Sequence, residues 1–270
     1  MAFDPSLLLF VPADRPDRYA GAVASEASGA IIDLEDAVAP QRKEFAREAV
    51  RGFLVSHGDL SRIAVRINSV QTSEGRADLA MLAHAPRPAA VVVPKVGGTG
   101  ELAEVSEAIG AVPQIALVET ALGLARCEAI AEARHVLALA FGQYDLAAEL
   151  GGDVEIDVML PHRARMLVAA RAAQRWAIDG PSREYADPAI ATRDALHARR
   201  LGYDGKLLIH PAQIAPVRAA FAPSADDVAQ ARRIVAAAEH SSPAVLDGAM
   251  IDAPIVTAAQ RILQRAAQGS

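Results

Sequence analysis

Charged side chains stand at or just after the ends of five short apolar runs of this sequence. The clearest case lies within residues 115–128, where an apolar run stops at Glu119 and a helical pattern begins near Thr120. A carboxylate at the end of a buried strand is costly unless a cation or a hydrogen-bond donor pairs with it. Comparable positions after other runs hold Asp36, Arg66, Lys95 and Asp145. The sequence therefore offers several charged groups that a suitable fold could bring together.

These residue types suit a site for a hard divalent cation. Mg²⁺ is usually held by one or two carboxylates, with water and substrate oxygens completing an octahedron. We predict Glu119 and Asp145 as the metal ligands, while Glu35 and Asp36 could accept hydrogen bonds from bound water. Arg66 is a permanent cation that can bind a carboxylate or stabilise a developing oxyanion. The pattern favours metal-assisted chemistry.

The elements that must position these residues alternate regularly along the chain. Eight short runs rich in β-branched residues or leucine predict strands at residues 6–10, 29–34, 62–67, 89–94, 114–118, 135–141, 177–179 and 206–210. Helical patterns follow at residues 15–27, 41–55, 72–83, 101–109, 121–133, 160–175 and 189–201, with Asp14 as the predicted N-cap of the first. Eight alternations in about 250 residues predict a (β/α)₈ TIM barrel. An open doubly wound sheet is the alternative, but no glycine-rich phosphate turn follows the first strand.

In such a barrel the carboxyl ends of all strands share one face, where active sites are built. Each charged residue also has a structural interpretation. Asp145 and Asp36 could cap the helices that follow them, and Glu119 could be an acid favoured by a helix dipole. Arg66 could belong to a structural ion pair, and His210 could be a hydrogen-bonded histidine at a strand end. We favour a common site, because the alternative requires several separate structural roles to be true at once for residues on the same face.

The chain continues beyond the eighth predicted strand. Helical patterns at residues 212–221 and 225–240 precede a break at Ser241-Ser242-Pro243 and a tail over residues 244–270. We predict a barrel domain at residues 1–222 and a C-terminal helical extension, or lid, at residues 223–270.

The composition argues against several classes of function and of binding site. The 270 residues are 52% apolar and carry a formal charge of −6, without a basic block, so nucleic acid is not an expected partner. Cys127 is the only cysteine and the histidines lack HxH or HExxH spacing, so neither a disulfide framework nor a zinc site is expected. No run reaches the roughly 20 apolar residues of a membrane span. We expect a soluble, cytoplasmic protein without a signal peptide.

Seven segments together resemble one known family: LFVPADRP (residues 9–16), IDLEDAV (32–38), VRIN (65–68), VPKV (93–96), LVETA (117–121), FGQYDL (141–146) and IHPAQ (209–213). In this order they are similar to the citrate lyase β-subunit-like (CitE-like) group of the HpcH/HpaI aldolase/citrate lyase superfamily. The resemblance covers about residues 6–220. It implies a Mg²⁺-dependent barrel that cleaves or forms a C–C bond next to an acyl thioester.

The resemblance also implies roles for particular residues. Glu119 and Asp145 would be the metal ligands, and Arg66 would bind substrate and stabilise the enolate. Asp36 would act beside the ligands as a catalytic residue, and Glu119 would also contact substrate. Two further candidates for substrate binding are Arg15, in the first βα loop, and Lys95. The loop after Lys95 is glycine-rich here, where the family more often has a charged segment.

The tail resembles one branch of this family. The segment GAMIDAP (residues 248–254) is similar to the lid of malyl-CoA and citramalyl-CoA lyases, in which an aspartate from a neighbouring subunit of a trimer acts as acid and base. The resemblance therefore implies a homo-oligomer, a trimer or a multiple of it, in which Asp252 is catalytic in trans. The structural alternative is that Asp252 caps the last helix before Pro254.

The predicted function is a Mg²⁺-dependent C–C lyase acting on a hydroxy-dicarboxylic acyl-CoA such as malyl-, citramalyl- or citryl-CoA. Its products would be acetyl- or propionyl-CoA and a 2-keto acid. Two alternatives remain open: a thioesterase of the malyl-CoA type, and a citrate lyase β subunit acting on an acyl-carrier-protein thioester within a complex. An aldolase acting on free keto acids is less favoured, because no histidine metal ligand is evident.

Overall fold

A computed structural model describes residues 3–240 and 244–268. Its internal contacts divide the chain into two compact units, residues 1–217 and 218–270. The first unit contains the barrel and the second contains the helical extension. The domain boundary after residue 222 remains a prediction.

The first unit is built on eight parallel strands in sequential order, which close into a barrel when the first pairs with the last. The strands are β1 (Leu7–Pro12), β2 (Gly29–Asp33), β3 (Ile63–Arg66), β4 (Ala90–Val93), β5 (Gln114–Val118), β6 (Val136–Phe141), β7 (Trp176–Asp179) and β8 (Gly205–Leu208). The predicted TIM barrel is confirmed, including the short strand β7, which ends in a polar residue. The open sheet is excluded by the pairing of β1 with β8.

The barrel interior is filled with apolar side chains from alternate strand positions. This core consists of Leu8, Ile31, Ala64, Ala90, Val92, Ile115, Leu117, Ala138, Ala140, Ile178 and Leu207, all nearly inaccessible to solvent. Alanines from β3, β4 and β6 leave room for the branched side chains of the other strands, so the interior is a packed core rather than a pore. A rigid core of this kind fixes the strand ends that carry the site.

The helices of the first unit surround the barrel. They are α1 (Tyr19–Ala24), α2 (Lys43–Ser56), α3 (Ser73–Ala83), α4 (Thr99–Ile109), α5 (Ala121–Ala125), α6 (Cys127–Glu132), α7 (Gln143–Leu150), α8 (Leu160–Ala172), α9 (Pro188–Leu201) and α10 (Ile214–Phe221), the last of which spans the division between the units. Short 3-10 turns precede α1, α2 and α10. Among the described residues, no helix is long and apolar enough to cross a membrane.

Two helix predictions were wrong in detail. The first predicted helix opens with a 3-10 turn, Pro16–Arg18, and Asp14 does not cap it. The Asp14 carboxylate instead accepts a hydrogen bond of 2.9 Å from Arg42 Nε. The predicted helix at residues 121–133 is two helices, because the backbone of Arg126 (φ −114°, ψ 15°) leaves the helical region between α5 and α6.

The second unit contains two long helices and a small hairpin. The helix α11 (Ala225–His240) packs against α12 (Ala253–Gln268), and an antiparallel pair, β9 (Ala244–Leu246) and β10 (Ala249–Ile251), lies between them in sequence. The hairpin turns at Asp247 and Gly248, whose φ angles of 49° and 80° suit an Asp-Gly turn with positive φ at both positions.

Candidate active site

The charged residues singled out in the barrel converge at the carboxyl ends of the strands. Arg66 is the last residue of β3 and Glu119 immediately follows β5, while Lys95 and Asp145 lie just beyond β4 and β6. Asp36 lies in the loop after β2. Ion pairs and hydrogen bonds connect four of these five residues, all except Glu119, directly or through Glu35. Glu119 joins them through the backbone of Lys95.

Arg66 is held by two carboxylates. Its Nε and Nη2 donate to the two oxygens of Asp33 at 2.7 Å each, and its Nη1 lies 3.0 Å from Glu35 Oε2. Its guanidinium also lies 4.9 Å from the ring centroid of Phe10. Burial lowers the pKa of Arg66, but Asp33, Glu35 and Glu119 outweigh it and the net pKa is raised. Arg66 is therefore a buried, permanent cation in a fixed orientation. It does belong to a structural ion pair, but it also lies within the charged cluster.

Asp33 is a site residue to which no role was assigned from the sequence. It is the cross-strand partner of Arg66, one pair beyond Ile32 and Val65 in the parallel register. It also accepts a hydrogen bond of 2.9 Å from the backbone N–H of Glu35. Strand alternation could have placed Asp33 on the same side as Ile31, but its pairing with Arg66 depends on a register that single strands do not reveal.

Glu119 is an almost completely buried carboxylate, with 3% of its surface exposed. Its Oε1 accepts a hydrogen bond of 2.8 Å from the backbone N–H of Lys95. Burial is the main reason that the pKa of Glu119 rises to about 8; Glu35 and Asp145 raise it further, whereas Arg66 and Lys95 lower it. A neighbouring cation would favour the ionised carboxylate.

Glu119 owes its space to Gly142 and is not part of the following helix. A Cβ atom at position 142 would lie 2.4 Å from the Cβ and 2.7 Å from the Oε2 of Glu119. Thr120 is the N-cap of α5, since its Oγ1 accepts a hydrogen bond of 3.0 Å from Gly123 N. Glu119 therefore precedes the cap, and the interpretation as an acid of the helix N-terminus was wrong.

Lys95 links the carboxylates. Its Nζ donates to Glu35 Oε1 at 2.5 Å and lies 3.7 Å from Asp36 Oδ1 and 3.9 Å from Asp145 Oδ2. Burial lowers its pKa, but the hydrogen bond to Glu35 and the surrounding negative charge outweigh this, so the pKa is raised. Its backbone has a positive φ of 53°, which is unusual for a residue with a side chain and is found at constrained functional positions.

Glu35 is a buried acid in contact with both Lys95 and Arg66, with 7% of its side chain exposed. Burial raises its pKa, and Arg66 and Lys95 oppose the shift. Glu35 Oε2 has no hydrogen-bond partner within the described residues although Arg66 Nη1 lies 3.0 Å away, because the geometry is that of an ion pair only. Glu35 therefore bridges the two cations of the site.

Asp36 and Asp145 are the more exposed acids, with 57% and 44% of their side chains accessible. Neither caps a helix: the turn after Asp36 has Ala39 as its N-cap, and α7 begins at Gln143, after Gly142. Asp145 lies in the first turn of α7, and Asp36 lies 3.9 Å from Arg66 Nη1. The capping interpretations of both residues were wrong, which leaves their carboxylates available at the mouth of the barrel.

The donor set fits a hard divalent cation. Glu119 and Asp145 come from adjacent strand ends, and the pKa of Glu119 is raised in part by Asp145. Within residues 3–240 and 244–268, no three His, Cys, Asp or Glu side chains are arranged as a metal site. Mg²⁺ commonly takes only one or two protein carboxylates, with water and substrate supplying the remaining oxygens.

Three other sequence candidates lie outside the linked cluster. Arg15 is exposed and pairs with Asp17 at 2.9 Å. His210 accepts a hydrogen bond of 3.2 Å from Ala212 N at its Nδ1 and stacks on Tyr185, as expected of a hydrogen-bonded histidine at a strand end. Asp252 belongs to the second unit, where its Oδ1 accepts a hydrogen bond of 3.3 Å from Ile255 N at the start of α12. The role of Arg15 in substrate binding and the role of Asp252 in catalysis remain predictions.

Comparison with known proteins agrees with the barrel fold. A model of the HpcH/HpaI aldolase/citrate lyase family matches residues 6–211. The chain belongs to this family. It is 36% identical over 270 residues to the citrate lyase subunit beta-like protein of Mycobacterium tuberculosis, a match that covers 97% of this chain and 96% of that protein. The predicted class, a lyase of this family, is confirmed.

Two further matches extend over almost the whole chain. The (3S)-malyl-CoA thioesterase of Cereibacter sphaeroides is 33% identical over 268 residues, which cover 96% of this chain and 93% of that enzyme. The crystal structure of CitE from Mycobacterium tuberculosis in complex with magnesium, acetoacetate and coenzyme A matches with a TM-score of 0.88 and 36% identity. That match covers 97% of this chain and 98% of the other.

Proposed function

We propose that this protein is a Mg²⁺-dependent lyase that cleaves a hydroxy-dicarboxylic acyl-CoA into acetyl- or propionyl-CoA and a 2-keto acid. The observation that carries the proposal is the buried Glu119 carboxylate, which lies on the same face as Asp145 and the fixed Arg66 guanidinium. The similarity to CitE, whose crystal structure contains magnesium, acetoacetate and coenzyme A, supports the same ligand classes here.

Glu119 and Asp145 would hold the metal. When bound, Mg²⁺ supplies Lewis-acid chemistry and orients the hydroxy-carboxylate oxygens of the substrate. Two protein carboxylates leave most of an octahedron for water and substrate. The exposure of Asp145 at the barrel mouth allows the substrate to approach from solvent.

Arg66 would stabilise the thioester enolate as charge develops on its oxygen. A guanidinium fixed in advance by Asp33 needs little reorganisation during the reaction, which is the condition for strong electrostatic stabilisation. Lys95 would assist in binding the substrate carboxylate, and Asp36 and Glu35 would keep both cations in place. Arg15 would contact the acyl carrier from the first βα loop.

The proton transfers balance with one acid/base group. In cleavage, a base removes the hydroxyl proton, the C–C bond breaks as the keto-acid carbonyl forms, and the electron pair passes to the thioester enolate. Protonation of the enolate carbon then gives acetyl- or propionyl-CoA. We propose Asp252 of a neighbouring subunit for this exchange, which requires a homo-oligomer such as a trimer; the similarity of residues 248–254 to a lyase lid supports this role.

The second candidate is a thioesterase that uses the same residues and hydrolyses the C–S bond. The 33% identity with a (3S)-malyl-CoA thioesterase favours this candidate specifically. A third candidate, a β subunit that needs an acyl-carrier protein, is suggested by the name of the mycobacterial relative. The three differ in what the isolated chain releases from a CoA thioester.

The decisive experiment is a screen of malyl-, citramalyl- and citryl-CoA with Mg²⁺ and the isolated protein, in which free keto acid and free thiol are measured separately. The lyase releases keto acid without thiol, whereas the thioesterase releases thiol and the intact hydroxy acid. Turnover only after addition of an acyl-carrier protein would favour the subunit of a complex. Release of keto acid from none of these thioesters would contradict the proposal.

A further inference from the structure

Lys43, the first residue of α2, is a buried lysine beneath the site. Only 9% of its surface is exposed, and its Nζ donates three hydrogen bonds: to Leu34 O at 2.6 Å, to Glu35 O at 2.7 Å and to Asn68 Oδ1 at 2.7 Å. An ammonium group has three N–H donors, so all of them are satisfied. None of the three bonds is to a carboxylate, so Lys43 does not serve as an ordinary ion-pair partner.

The three acceptors lie on the two segments that carry Arg66 and its ion-pair partner Glu35. Leu34 and Glu35 follow β2, and Asn68 lies two residues beyond Arg66. Asn68 is itself held, because its Nδ2 donates to Leu34 O at 3.0 Å and to Asp78 Oδ2 at 2.7 Å. Its backbone N–H also donates to Asp78 Oδ2 at 2.7 Å. Lys43 and Asn68 together therefore join the loop after β2 to the end of β3.

Burying the Lys43 charge has a cost in stability. Burial is the largest influence on the pKa of Lys43 and lowers it, against the opposing charges of Asp33 and Asp78. An apolar side chain would avoid the cost of removing a charge from water. What the lysine adds is a fixed position for the main chain of Glu35, whose carboxylate contacts Lys95 at 2.5 Å and Arg66 at 3.0 Å.

We propose that Lys43 is a positioning residue, which sets the place of the Glu35 carboxylate and, through it, of the Arg66 guanidinium. A shift of about 1 Å in catalytic geometry can lower a rate about 100-fold. The effect on turnover rests on the proposed function, because Arg66 is assigned there to the developing enolate. The fixing of the loop rests on the hydrogen bonds alone.

The test compares Lys43→Met with Arg62→Met. Arg62 is a matched control, since its guanidinium also binds backbone carbonyls in the loop before β2, those of Ser25 at 2.9 Å and Ser28 at 3.3 Å. It does so at the opposite end of the barrel from the site. Both variants are expected to unfold at a lower temperature, because each leaves backbone carbonyls without the side-chain donor that now binds them, and this loss outweighs the gain from removing a charge. Lys43→Met is expected to lower kcat about 10- to 100-fold with little change in KM, whereas Arg62→Met keeps the wild-type kcat.

Hydrogen–deuterium exchange supplies a readout that does not depend on activity. The amides of Leu34 and Val38 are hydrogen-bonded to Arg66 O and Glu35 O, at 2.9 and 3.0 Å. Their exchange is expected to accelerate in Lys43→Met and not in Arg62→Met. If Lys43→Met does not fold, Lys43→Gln, which can keep one carbonyl bond, replaces it in both measurements.

The outcomes separate this inference from the proposed function. Wild-type kcat in a folded Lys43 variant would overturn the positioning role, as would unchanged exchange at residues 34–38. An equal loss of kcat in the Arg62 control would reduce Lys43 to a contribution to stability and also overturn it. If wild-type protein cleaves no thioester, the proposed function fails, and exchange alone then decides whether Lys43 fixes the loop.

Discussion

At the scale of single residues, the site depends on the balance between burial and charge at Glu119. Burial raises the pKa of this carboxylate to about 8, with Arg66 and Lys95 opposing the effect. A buried acid of this kind is destabilising when it ionises without a cation and becomes a strong ligand when a cation is present. The metal-free and metal-bound proteins should therefore respond differently to pH.

The metal-free protein should lose stability as pH rises from about 4.5 to about 8. Between the ordinary pKa of 4.5 and the folded value of about 8, Glu119 binds more protons in the native than in the unfolded state. The free energy of unfolding therefore falls with pH in the wild type, relative to Glu119→Gln, which does not titrate. Denaturant unfolding of both proteins in a chelator, at both ends of this window, measures the difference. A difference independent of pH would show that Glu119 has an ordinary pKa.

Arg66→Lys should fold but turn over slowly. Lysine keeps the positive charge but cannot form two parallel hydrogen bonds with Asp33, so the cation loses its fixed orientation. We expect kcat to fall about 100-fold or more. Mg²⁺ affinity should change little, because Arg66 is not a ligand. Steady-state kinetics and titration calorimetry measure the two effects, and a kcat near that of the wild type would exclude Arg66 from stabilising the transition state.

The charged residues at the strand ends could be predicted from the sequence, but the residues that hold them in place could not. Glu119 and Arg66 could be predicted because a charge that ends an apolar run is conspicuous. Asp33 and Lys43 could not, since their roles depend on strand register and on how α2 packs beneath the loop after β2. Such tertiary contacts leave no local pattern in a single sequence.

At the scale of elements, the eight strands were predictable because apolar runs and helical patterns alternate so regularly. The bounds of β5 were predicted correctly, and those of other strands differed by one or a few residues. Helix starts were less predictable: Asp14 and Asp145 resemble caps in sequence, but other residues begin those helices. Where a helix begins depends on where the preceding strand ends, and the capping preference of a single residue does not determine that position.

Gly142→Ala tests how the β6–α7 junction accommodates Glu119. The added methyl group would lie 2.4 Å from Glu119 Cβ, so the carboxylate or the strand end must move. We expect the free energy of unfolding to fall by about 1–3 kcal/mol. We also expect Mg²⁺ to bind about tenfold or more weakly, because a metal ligand is displaced. Calorimetry and denaturant unfolding measure these effects.

Gly52→Ala is the matched control for this substitution. Gly52 lies within α2, where an added Cβ would meet no atom within 4 Å. Alanine in a helix is favoured over glycine by about 0.5–1 kcal/mol, so this variant should be slightly more stable with unchanged Mg²⁺ affinity. Unaltered Mg²⁺ binding in Gly142→Ala as well would show that Glu119 is not a ligand.

At the scale of the whole molecule, the proposed mechanism requires Asp252 to complete the site of another subunit. In the second unit it is exposed and caps α12. The cap requires only an acceptor oxygen, which asparagine also provides, whereas acid/base chemistry requires a carboxyl group. Asp252→Asn therefore separates the two roles.

Asp252→Asn should keep its stability and thioester binding but lose turnover. Mixing inactive Asp252→Asn with inactive Glu119→Gln and allowing subunits to exchange should restore part of the activity, because some sites then combine an intact Glu119 with an intact Asp252. Thermal unfolding, ligand binding and keto-acid release measure these effects. A mixture that remains inactive despite demonstrated subunit exchange would argue against catalysis in trans, and wild-type turnover in Asp252→Asn would leave the residue with its capping role.

The central claim is that Glu119 and Asp145 hold Mg²⁺ for the cleavage of a C–C bond next to a thioester. The most direct measurement is keto-acid release from the best thioester substrate, titrated with Mg²⁺ after removal of metal with a chelator, for the wild type and for Glu119→Gln. The account predicts saturable dependence on Mg²⁺ and no free thiol in the wild type, with no release by folded Glu119→Gln. Keto-acid release that is insensitive to the chelator, or retained in Glu119→Gln, would contradict it.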